Sequence, residues 1–271
     1  MGPTGVRQRV PFLQISTASY LHLKFTLVMK IIIEETYAGL CRHALDDLLA
    51  IMHKISSPLI CVASGDSPKG LYTQLTEQVQ QHRIDVSGWN FVGLDEWVGM
   101  NGNDEGSCKF HLDNQLFGPL QVPGERQCFF NGRAEDLEAE CQRIENFIAQ
   151  HNGIEVAIVG LGLNGHVGMN EPGSSVNQHA HVSDIDPQTQ AVGQKYFTKP
   201  QSLTHGLTMG IANLLEAKNV FIIVSGKHKA EIVKRILEEE ISAAVPATLL
   251  RNHPGLVLYL DKDAASLINQ S

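Results

Sequence analysis

The sequence predicts an α/β fold, a doubly wound, mostly parallel sheet with helices on both faces. Short apolar runs alternate with longer segments whose apolar residues recur at three- and four-residue spacing, as in amphipathic helices. The apolar runs are continuous and do not alternate with polar residues, which is typical of parallel strands covered on both faces. A βαβ series of this kind favours a three-layer, Rossmann-like domain.

The predicted elements follow one another regularly from residue 30 onward. Strands are predicted for the apolar runs at 30–33, 59–64, 90–95, 155–161, 206–210, 219–226 and 256–261. Helical spacing predicts helices at 37–54, 68–82, 134–150 and 227–239. Because no repeat, low-complexity tract or linker interrupts this series, we expect residues 30–271 to form a single domain.

Residues 1–29 differ in composition from the rest of the chain. They contain no acidic residue, whereas Lys30 opens the regular pattern KIIIEE. An acid-free stretch with arginine and serine is compatible with a targeting peptide, but the layout of a signal peptide is missing. We therefore expect residues 1–29 to be an extension, disordered or not native, that lies outside the fold.

Composition and charge exclude several classes of function. The formal net charge is -8 and the sequence pI is near 5.8, so no basic surface for a nucleic acid is indicated. No apolar segment approaches the roughly 18 residues that a membrane span needs. The five cysteines form no CxxC pair, which indicates free thiols in a cytoplasmic protein.

Two patterns could indicate a cofactor or a metal. Gly160 and Gly162 resemble the start of a dinucleotide fingerprint, but the segment lies late in the chain, after three predicted strands, which disfavours a nicotinamide cofactor. His179 and His181 have no carboxylate or cysteine beside them at the usual ligand spacing, so we interpret them as surface histidines. We expect neither a cofactor nor a metal.

Polar residues follow four of the predicted strands, at the point where each strand ends. These segments are SGDSP at 64–68, DEW at 95–97, GLNGHVGMNEPG at 162–173 and SGKHK at 225–229. In open α/β sheets, ligands bind outside the carboxyl ends of the strands. The sequence therefore predicts a site at this edge of the sheet.

The first of these segments combines two compatible features. Ser67 followed by Pro68 predicts the start of a helix, with Ser67 as N-cap and proline in the first helical position. The free backbone N–H groups of such a helix start, together with the hydroxyl groups of Ser64 and Ser67, would bind an anion. We expect Ser64, Gly65, Asp66 and Ser67 to bind phosphate.

The second and third segments carry the acid–base chemistry. Glu96 is expected to be a solvent-exposed turn residue. A solvent-exposed turn is a less satisfactory interpretation for Asp95 and for the pair His166 and Glu171. Glycines flank the histidine and allow another group to approach it closely. A carboxylate beside an imidazole holds one tautomer for proton transfer. Since a GxSxG nucleophile motif is absent, we predict proton shuttling on a bound anion.

Two segments resemble the signatures of the glucosamine-6-phosphate deaminase family, LDEWVG at 94–99 and GLGLNGHVGMNEPGSS at 160–175. The pieces ASGDSPKGLY, HGLTMGIANLLEAKNVFIIVSGKHKA and VPATLL fit the same family. Asn-Gly-His and HVSDIDPQTQ most resemble the galactosamine-6-phosphate deaminase/isomerase branch. The resemblance implies conversion of an amino-sugar 6-phosphate to a ketohexose 6-phosphate plus ammonium.

The resemblance also implies roles for individual residues. His166 would open the pyranose ring, oriented by Glu171, and Asp95 would move a proton from C2 to C1 through an enolamine. Asn164 stands where most members of the family carry aspartate. An amide is expected to hold the imidazole by a hydrogen bond without stabilising the imidazolium as a carboxylate does. On this basis Asn164→Asp is expected to increase turnover on pyranose substrates.

The phosphate would be held by the loop 64–67 together with Lys195 and Lys229. Lys195 stands where arginine is commoner in the family, which replaces a bidentate fork with a point charge. Asp66 stands where glycine is usual. Its carboxylate would repel phosphate unless it turned outward, toward Lys69.

Several alternatives stay open at this point. The chain could be a weakly catalytic paralogue that binds sugar phosphates, or a hydrolase similar to the related 6-phosphogluconolactonases, which share the fold but lack the NEP segment. A sugar-phosphate sensor of a transcriptional repressor is disfavoured by the acidic charge and by the lack of a helix-turn-helix extension. His181 and Ser183 occupy the stretch where the family's allosteric cations would lie. The resemblance allows a homo-oligomer and either the gluco or the galacto epimer as substrate.

Overall fold

The computed structural model describes residues 29–268 of the 271-residue chain. The extension predicted for residues 1–29 therefore lies, except for Met29, outside the described residues. Within them the strands are β1 Lys30–Glu34, β2 Leu59–Val62, β3 Asn90–Gly93, β4 Asp95–Trp97, β5 Gln127–Cys128, β6 Val156–Gly160, β7 His181–Asp184, β8 His205–Thr208, β9 Asn219–Val224 and β10 Leu256–Asp261. The α-helices are α1 Tyr37–Met52, α2 Asp66–Gln80, α3 Cys108–Leu112, α4 Gly118–Leu120, α5 Leu137–Gln150, α6 Pro187–Gly193, α7 Ile211–Glu216 and α8 Ala230–Glu238.

Seven strands form one parallel sheet in the order β1-β10-β9-β6-β2-β3-β5. The chain builds outward from β2 in one direction and from β6 in the other, so the topological switch point lies between these two strands. Adjacent loops leave the sheet in opposite directions at a switch point and open a crevice there. The prediction of a doubly wound α/β fold is confirmed.

Successive side chains of the central strands pack into two different cores, one on each face of the sheet. In β2, Leu59 and Cys61 face one core, while Ile60 and Val62 face the other. Helices α1 and α2 cover the second core, and residues of α5, α7 and α8 belong to the first. Burial on both faces explains why these strands read as continuous apolar runs.

A second, three-stranded antiparallel sheet has the order β4-β8-β7. The prediction of 206–210 as a strand of the main sheet is wrong, because β8 pairs only with β4 and β7. Its apolar residues resemble a parallel strand because Leu207 is fully buried against the first core. This sheet places Asp95, the first residue of β4, at the edge where the main strands end.

Helix starts also differ from their predicted positions. The N-cap of α2 is Gly65 and the helix begins at Asp66, so the prediction of Ser67 as N-cap is wrong. Helix α5 begins at Leu137, where the Asp136 carboxylate accepts hydrogen bonds from two backbone N–H groups. A short 3₁₀ turn, Lys227–Lys229, precedes α8.

Among residues 29–268, no helix combines the length and the apolar character that crossing a bilayer requires. All five cysteines are buried and carry free thiols.

The loop that follows β6 is fastened to the second sheet by Thr208. Its hydroxyl accepts a hydrogen bond from the backbone N–H of Met169 at 3.1 Å and donates to the carbonyl of Met209. Thr208→Val keeps the shape but leaves a buried N–H without an acceptor, which costs about 1–3 kcal/mol. We expect chemical denaturation to show a loss of that size in the free energy of unfolding.

Thr73→Val is the matched control, because Thr73 is exposed on α2 and its hydroxyl donates only to the Lys69 carbonyl. It should change the free energy of unfolding by no more than about 0.5 kcal/mol. Equal effects of the two substitutions would contradict the anchoring role of Thr208.

Candidate active site

A cavity of about 630 Å³ opens at the carboxyl ends of β2 and β6, at the topological switch point. The predicted site residues that line it are Ser64, Gly65, Asp66, Ser67, Asp95, Asn164, His166, Lys195 and Lys229. The remaining one, Glu171, is 5% exposed and supports the histidine from behind the cavity wall. The structure therefore brings all of the predicted site residues together.

The loop 64–67 enters α2 with a backbone that favours glycine. Gly65 has a φ of 92°, and a Cβ atom there would lie 2.9 Å from the Tyr196 hydroxyl. The Tyr37 hydroxyl accepts a hydrogen bond from the N–H of Gly70 at 2.7 Å and faces carbonyl groups of the same turn. The start of a 15-residue helix thus borders the cavity, where its unpaired N–H groups favour an anion.

Two lysines bring positive charge to the same end of the cavity. Lys229 donates to the Leu161 carbonyl at 2.6 Å, and burial, followed by the charge of Lys195, lowers the pKa of Lys229 to about 8. Lys195 lies 2.7 Å from the Asp66 carboxylate. The alternative in which Asp66 turns outward toward Lys69 is therefore not the one observed, because the carboxylate pairs with Lys195 across the cavity.

The His166 imidazole is held through one of its two nitrogens. Nδ1 lies 3.0 Å from the Thr189 hydroxyl and 3.5 Å from a Glu171 carboxylate oxygen. A Cβ atom on Gly162 would lie 2.3 Å from the ring, so only glycine leaves room for the imidazole at this point of the loop. With Nδ1 engaged by protein oxygens, the other nitrogen is the one that can exchange a proton with a ligand.

Asn164 contacts the carboxylate and not the ring. Its side-chain N–H donates to Glu171 Oε2 at 2.7 Å, and its carbonyl oxygen accepts from the backbone N–H of His166 at 3.1 Å. The expectation that this amide hydrogen-bonds the imidazole is wrong, and Thr189 occupies that position. The expected gain in turnover for Asn164→Asp loses its structural basis.

Glu171 stays ionised although it is buried. Burial alone would raise its pKa, but His166, Asn164 and Thr189 together outweigh burial and hold the pKa below the usual range. Oε2 accepts from Asn164 and lies beside the His166 imidazole, and Oε1 has no hydrogen-bond partner among the described residues. A fixed negative charge behind the imidazole stabilises its protonated form.

Asp95 lines the cavity at the start of β4. Burial raises its pKa to about 6, against the opposing effects of the Cys108 thiol and of His166. A carboxylate with this pKa is largely ionised at neutral pH and still accepts and returns a proton readily. A perturbed acid facing an imidazole in one cavity is a typical acid–base constellation.

The expectation that Glu96 is exposed to solvent is wrong. Its side chain is fully buried and accepts hydrogen bonds from the backbone N–H groups of Trp97, Cys108 and Lys109. Burial nevertheless raises the pKa of Glu96 to about 7. This carboxylate joins β4 to the start of α3 and thereby fixes the backbone beside Asp95.

Thr189, Tyr196, Cys108 and His111 also line the cavity, and none of them was predicted as a site residue. Thr189 lies on α6, which begins after the N-cap Asp186. A capping aspartate before proline indicates a helix start but gives no sign that the next turn faces a histidine from another loop. Proximity of this kind depends on how α6 folds back over the sheet.

No group of three or more His, Cys, Asp or Glu side chains within 29–268 is arranged to hold a metal ion. His179 pairs with Glu216 at 2.9 Å on the surface, and His181 Nδ1 donates a hydrogen bond to the His179 carbonyl.

The fold and the site together define a class: an α/β protein whose switch-point cavity brings a carboxylate, an imidazole and two lysines together beside a helix start. Residues 33–258 match the family model for glucosamine-6-phosphate isomerases/6-phosphogluconolactonase. The chain belongs to this family.

Relatives within the family match nearly the whole chain. A glucosamine-6-phosphate deaminase from Oceanobacillus iheyensis is 32% identical over 237 residues, which cover 87% of this chain and 95% of that protein. Glucosamine-6-phosphate deaminase 1 from Bacillus subtilis is 33% identical over 240 residues, 88% of this chain and 99% of its own. A solved monomeric glucosamine-6-phosphate deaminase has a TM-score of 0.85 at 33% identity and covers 88% of this chain and 100% of that one.

The contact between Asn164 and Glu171 predicts what would happen if aspartate replaced Asn164 and placed a second carboxylate beside Glu171. In Asn164→Asp two carboxylates would lie about as close as the present 2.7 Å contact, so one would keep its proton at neutral pH. Its folded-state pKa would then exceed the unfolded value, and the folded state would bind more protons. We expect the variant's free energy of unfolding, relative to the unsubstituted protein, to fall as pH rises from about 4 to 8.

Denaturant titrations at several pH values measure this difference. Asn146→Asp is the control, because exposed Asn146 uses its side-chain oxygen as an acceptor for Gln142, and a carboxylate can do the same. A pH-independent difference for Asn164→Asp would contradict the assigned contact.

Proposed function

We propose that this protein converts an amino-sugar 6-phosphate, glucosamine 6-phosphate or its galacto epimer, into a ketohexose 6-phosphate and ammonium. The reaction isomerises the open-chain aldose to a ketimine, and water then releases ammonia from C2. Family membership and the deaminase names of relatives that match most of the chain support this assignment. The ligand would be a small molecule, in a cytoplasmic enzyme without a cofactor.

His166 opens the ring by transferring a proton between the C1 hydroxyl and the ring oxygen. Its Nδ1 is bound to Thr189 and faces Glu171, so the opposite nitrogen meets the sugar. Glu171 stabilises the imidazolium that forms, and Asn164 keeps this carboxylate in place.

Asp95 takes the proton from C2 of the open-chain sugar and delivers it to C1. The intermediate is an enolamine, and protonation at C1 converts it to the ketimine. The nitrogen is still bound to C2 in the ketimine and leaves as ammonia only after water has added to C2. A pKa of about 6 suits a base that must both accept and return a proton near neutral pH.

The ligand's phosphate is bound by the loop 64–67, Lys195 and Lys229. The support for this placement is that the start of α2 and both ammonium groups border the same end of the cavity. Because the chain as a whole is acidic, a local cluster of this kind has to supply the attraction for an anion.

The position of Asp95 favours a deaminase over a lactonase-like hydrolase. This carboxylate, whose pKa is raised, lines the cavity in addition to the His166–Glu171 pair. Lactone hydrolysis needs one base to activate water, whereas a C2-to-C1 proton transfer needs a second, separately placed base. Ammonia release from both amino-sugar 6-phosphates, measured beside hydrolysis of 6-phosphogluconolactone, tests the assignment. Lactone hydrolysis without ammonia release would refute it.

Asp95→Asn should lower kcat for ammonia release by about 10²–10⁴-fold, the usual contribution of a positioned proton-transfer group. Binding of glucitol 6-phosphate, which cannot isomerise, should stay within about twofold, because the amide keeps the shape of the side chain. Coupled ammonia detection and calorimetry measure the two quantities.

Asp46→Asn serves as the control for this substitution, since Asp46 is exposed on α1, outside the cavity. If Asp95→Asn weakened binding and turnover to the same degree, Asp95 would have a structural role and no catalytic one.

Lys229 predicts a pH dependence of phosphate binding. Its pKa of about 8 means that the cationic form is lost as pH rises through 8, whereas the ligand phosphate is already dianionic above pH 7. Affinity for glucitol 6-phosphate should fall about tenfold from pH 7 to pH 9, in proportion to the cationic fraction. Lys229→Arg should remove this decline, because a guanidinium keeps its proton.

Calorimetric titrations across this pH range provide the measurement. Lys234→Met provides the control, because Lys234 lies on α8, directly after the 3₁₀ turn that holds Lys229, but outside the cavity. A decline of equal size in Lys229→Arg would show that another group is responsible.

A further inference from the structure

A lysine assigned to the ligand's phosphate already has a carboxylate as its partner. Lys195 Nζ lies 2.7 Å from Asp66 Oδ2, and the two residues are 129 positions apart in the chain. Asp66 opens α2, whereas Lys195 lies in the 3₁₀ turn Gln194–Tyr196 that follows α6. Both line the cavity, so this ion pair joins two of its walls.

Asp66 brings a negative charge to this end of the cavity. The hydrogen bond from Lys195 is the main cause that lowers its pKa, and Lys69 and His111 act in the same direction, so the carboxylate is ionised at neutral pH. A phosphate bound at the start of α2 would therefore meet an anion already placed beside its lysine.

The ion pair is accessible enough to be exchanged for a ligand. The side chains of Lys195 and Asp66 are 51% and 69% exposed, and ion pairs in contact with water contribute little to stability. A phosphate dianion carries about twice the charge of a carboxylate and can displace Asp66 from the ammonium group. The displaced carboxylate then stays next to the phosphate and repels it.

We propose that Asp66 is a specificity-determining residue that competes with the ligand's phosphate for Lys195 and so weakens the binding of phosphorylated ligands. This inference rests on the proposed function, because it takes the anion at this end of the cavity to be a sugar phosphate. Weaker binding of substrate and product alike speeds product release. Asp66 could instead only position Lys195, or only stabilise the start of α2 through its charge. Either of these roles predicts no gain in affinity when Asp66 is neutralised.

The first test compares the unsubstituted protein with Asp66→Asn by calorimetry, with inorganic phosphate and glucitol 6-phosphate as probes. We expect both probes to bind roughly threefold to tenfold more tightly to the variant. Asp113→Asn is the matched control, because Asp113 pairs with Lys109 at 2.6 Å but does not line the cavity. It removes the same charge and should leave both affinities unchanged.

The second test introduces Lys195→Met alone and together with Asp66→Asn. Loss of the ammonium group should cost less affinity when Asp66 is present than when it is neutralised, because only the unsubstituted protein must break the ion pair to bind phosphate. Asp66→Ser repeats the comparison if the asparagine variant folds poorly, as judged by thermal melting.

The proposal would be overturned if both probes bound Asp66→Asn and Asp66→Ser no more tightly than the unsubstituted protein. It would also be overturned if Lys195→Met cost the same affinity with and without the Asp66 charge, or if no variant bound phosphate. These are binding measurements without turnover. A failure to release ammonia would therefore refute the proposed reaction and leave the result on Asp66 standing.

Discussion

The acid–base half of the site depends on one buried carboxylate, Glu171. Burying a charge is costly unless other groups bind it, and here the Asn164 amide and the His166 imidazole contact one oxygen of the carboxylate, while the Thr189 hydroxyl holds the imidazole. These three groups come from the loop after β6 and from α6, so the charge of Glu171 holds two separate parts of the chain in register. The glycines of the loop serve the same end, since a side chain at Gly162 would displace the ring that faces the carboxylate.

The opposite end of the cavity follows a different electrostatic rule. The chain carries a net charge of -8, yet two lysines and a helix start are concentrated around one small volume. The two ammonium groups are compensated in different ways. Lys195 pairs with the Asp66 carboxylate, whereas Lys229 donates to the Leu161 carbonyl and has a lowered pKa. Under the proposed function, the attraction for an anion in this acidic protein therefore comes from short-range geometry and not from the overall field.

Much of the fold and of the site could be predicted because a parallel sheet imposes a simple relation between sequence and position. Every parallel strand that ends at the same edge delivers its following residues there, so Asp95, His166 and Lys229 could be grouped from the sequence. Lys195 follows α6 and was placed by the family resemblance instead. Glu96 could not, since a charged residue after a strand is usually solvated, and its burial depends on three N–H groups that later segments supply. Thr189 and the antiparallel sheet were missed for a related reason: both depend on contacts between segments far apart in sequence, which periodicity does not encode.

The hydrogen bonds of the Asn164–Gly165 step also bear on the chemical ageing of the protein. Asparagine followed by glycine cyclises when the glycine nitrogen attacks the side-chain carbonyl, which requires both groups to rotate freely. Here the Gly165 N–H is bound to the Gly162 carbonyl at 3.1 Å, and both ends of the amide are engaged. Folding therefore protects this bond, and the aspartate and isoaspartate products would accumulate in molecules that have unfolded. The fraction of molecules converted to these products in a stored sample would record how much time its molecules have spent unfolded.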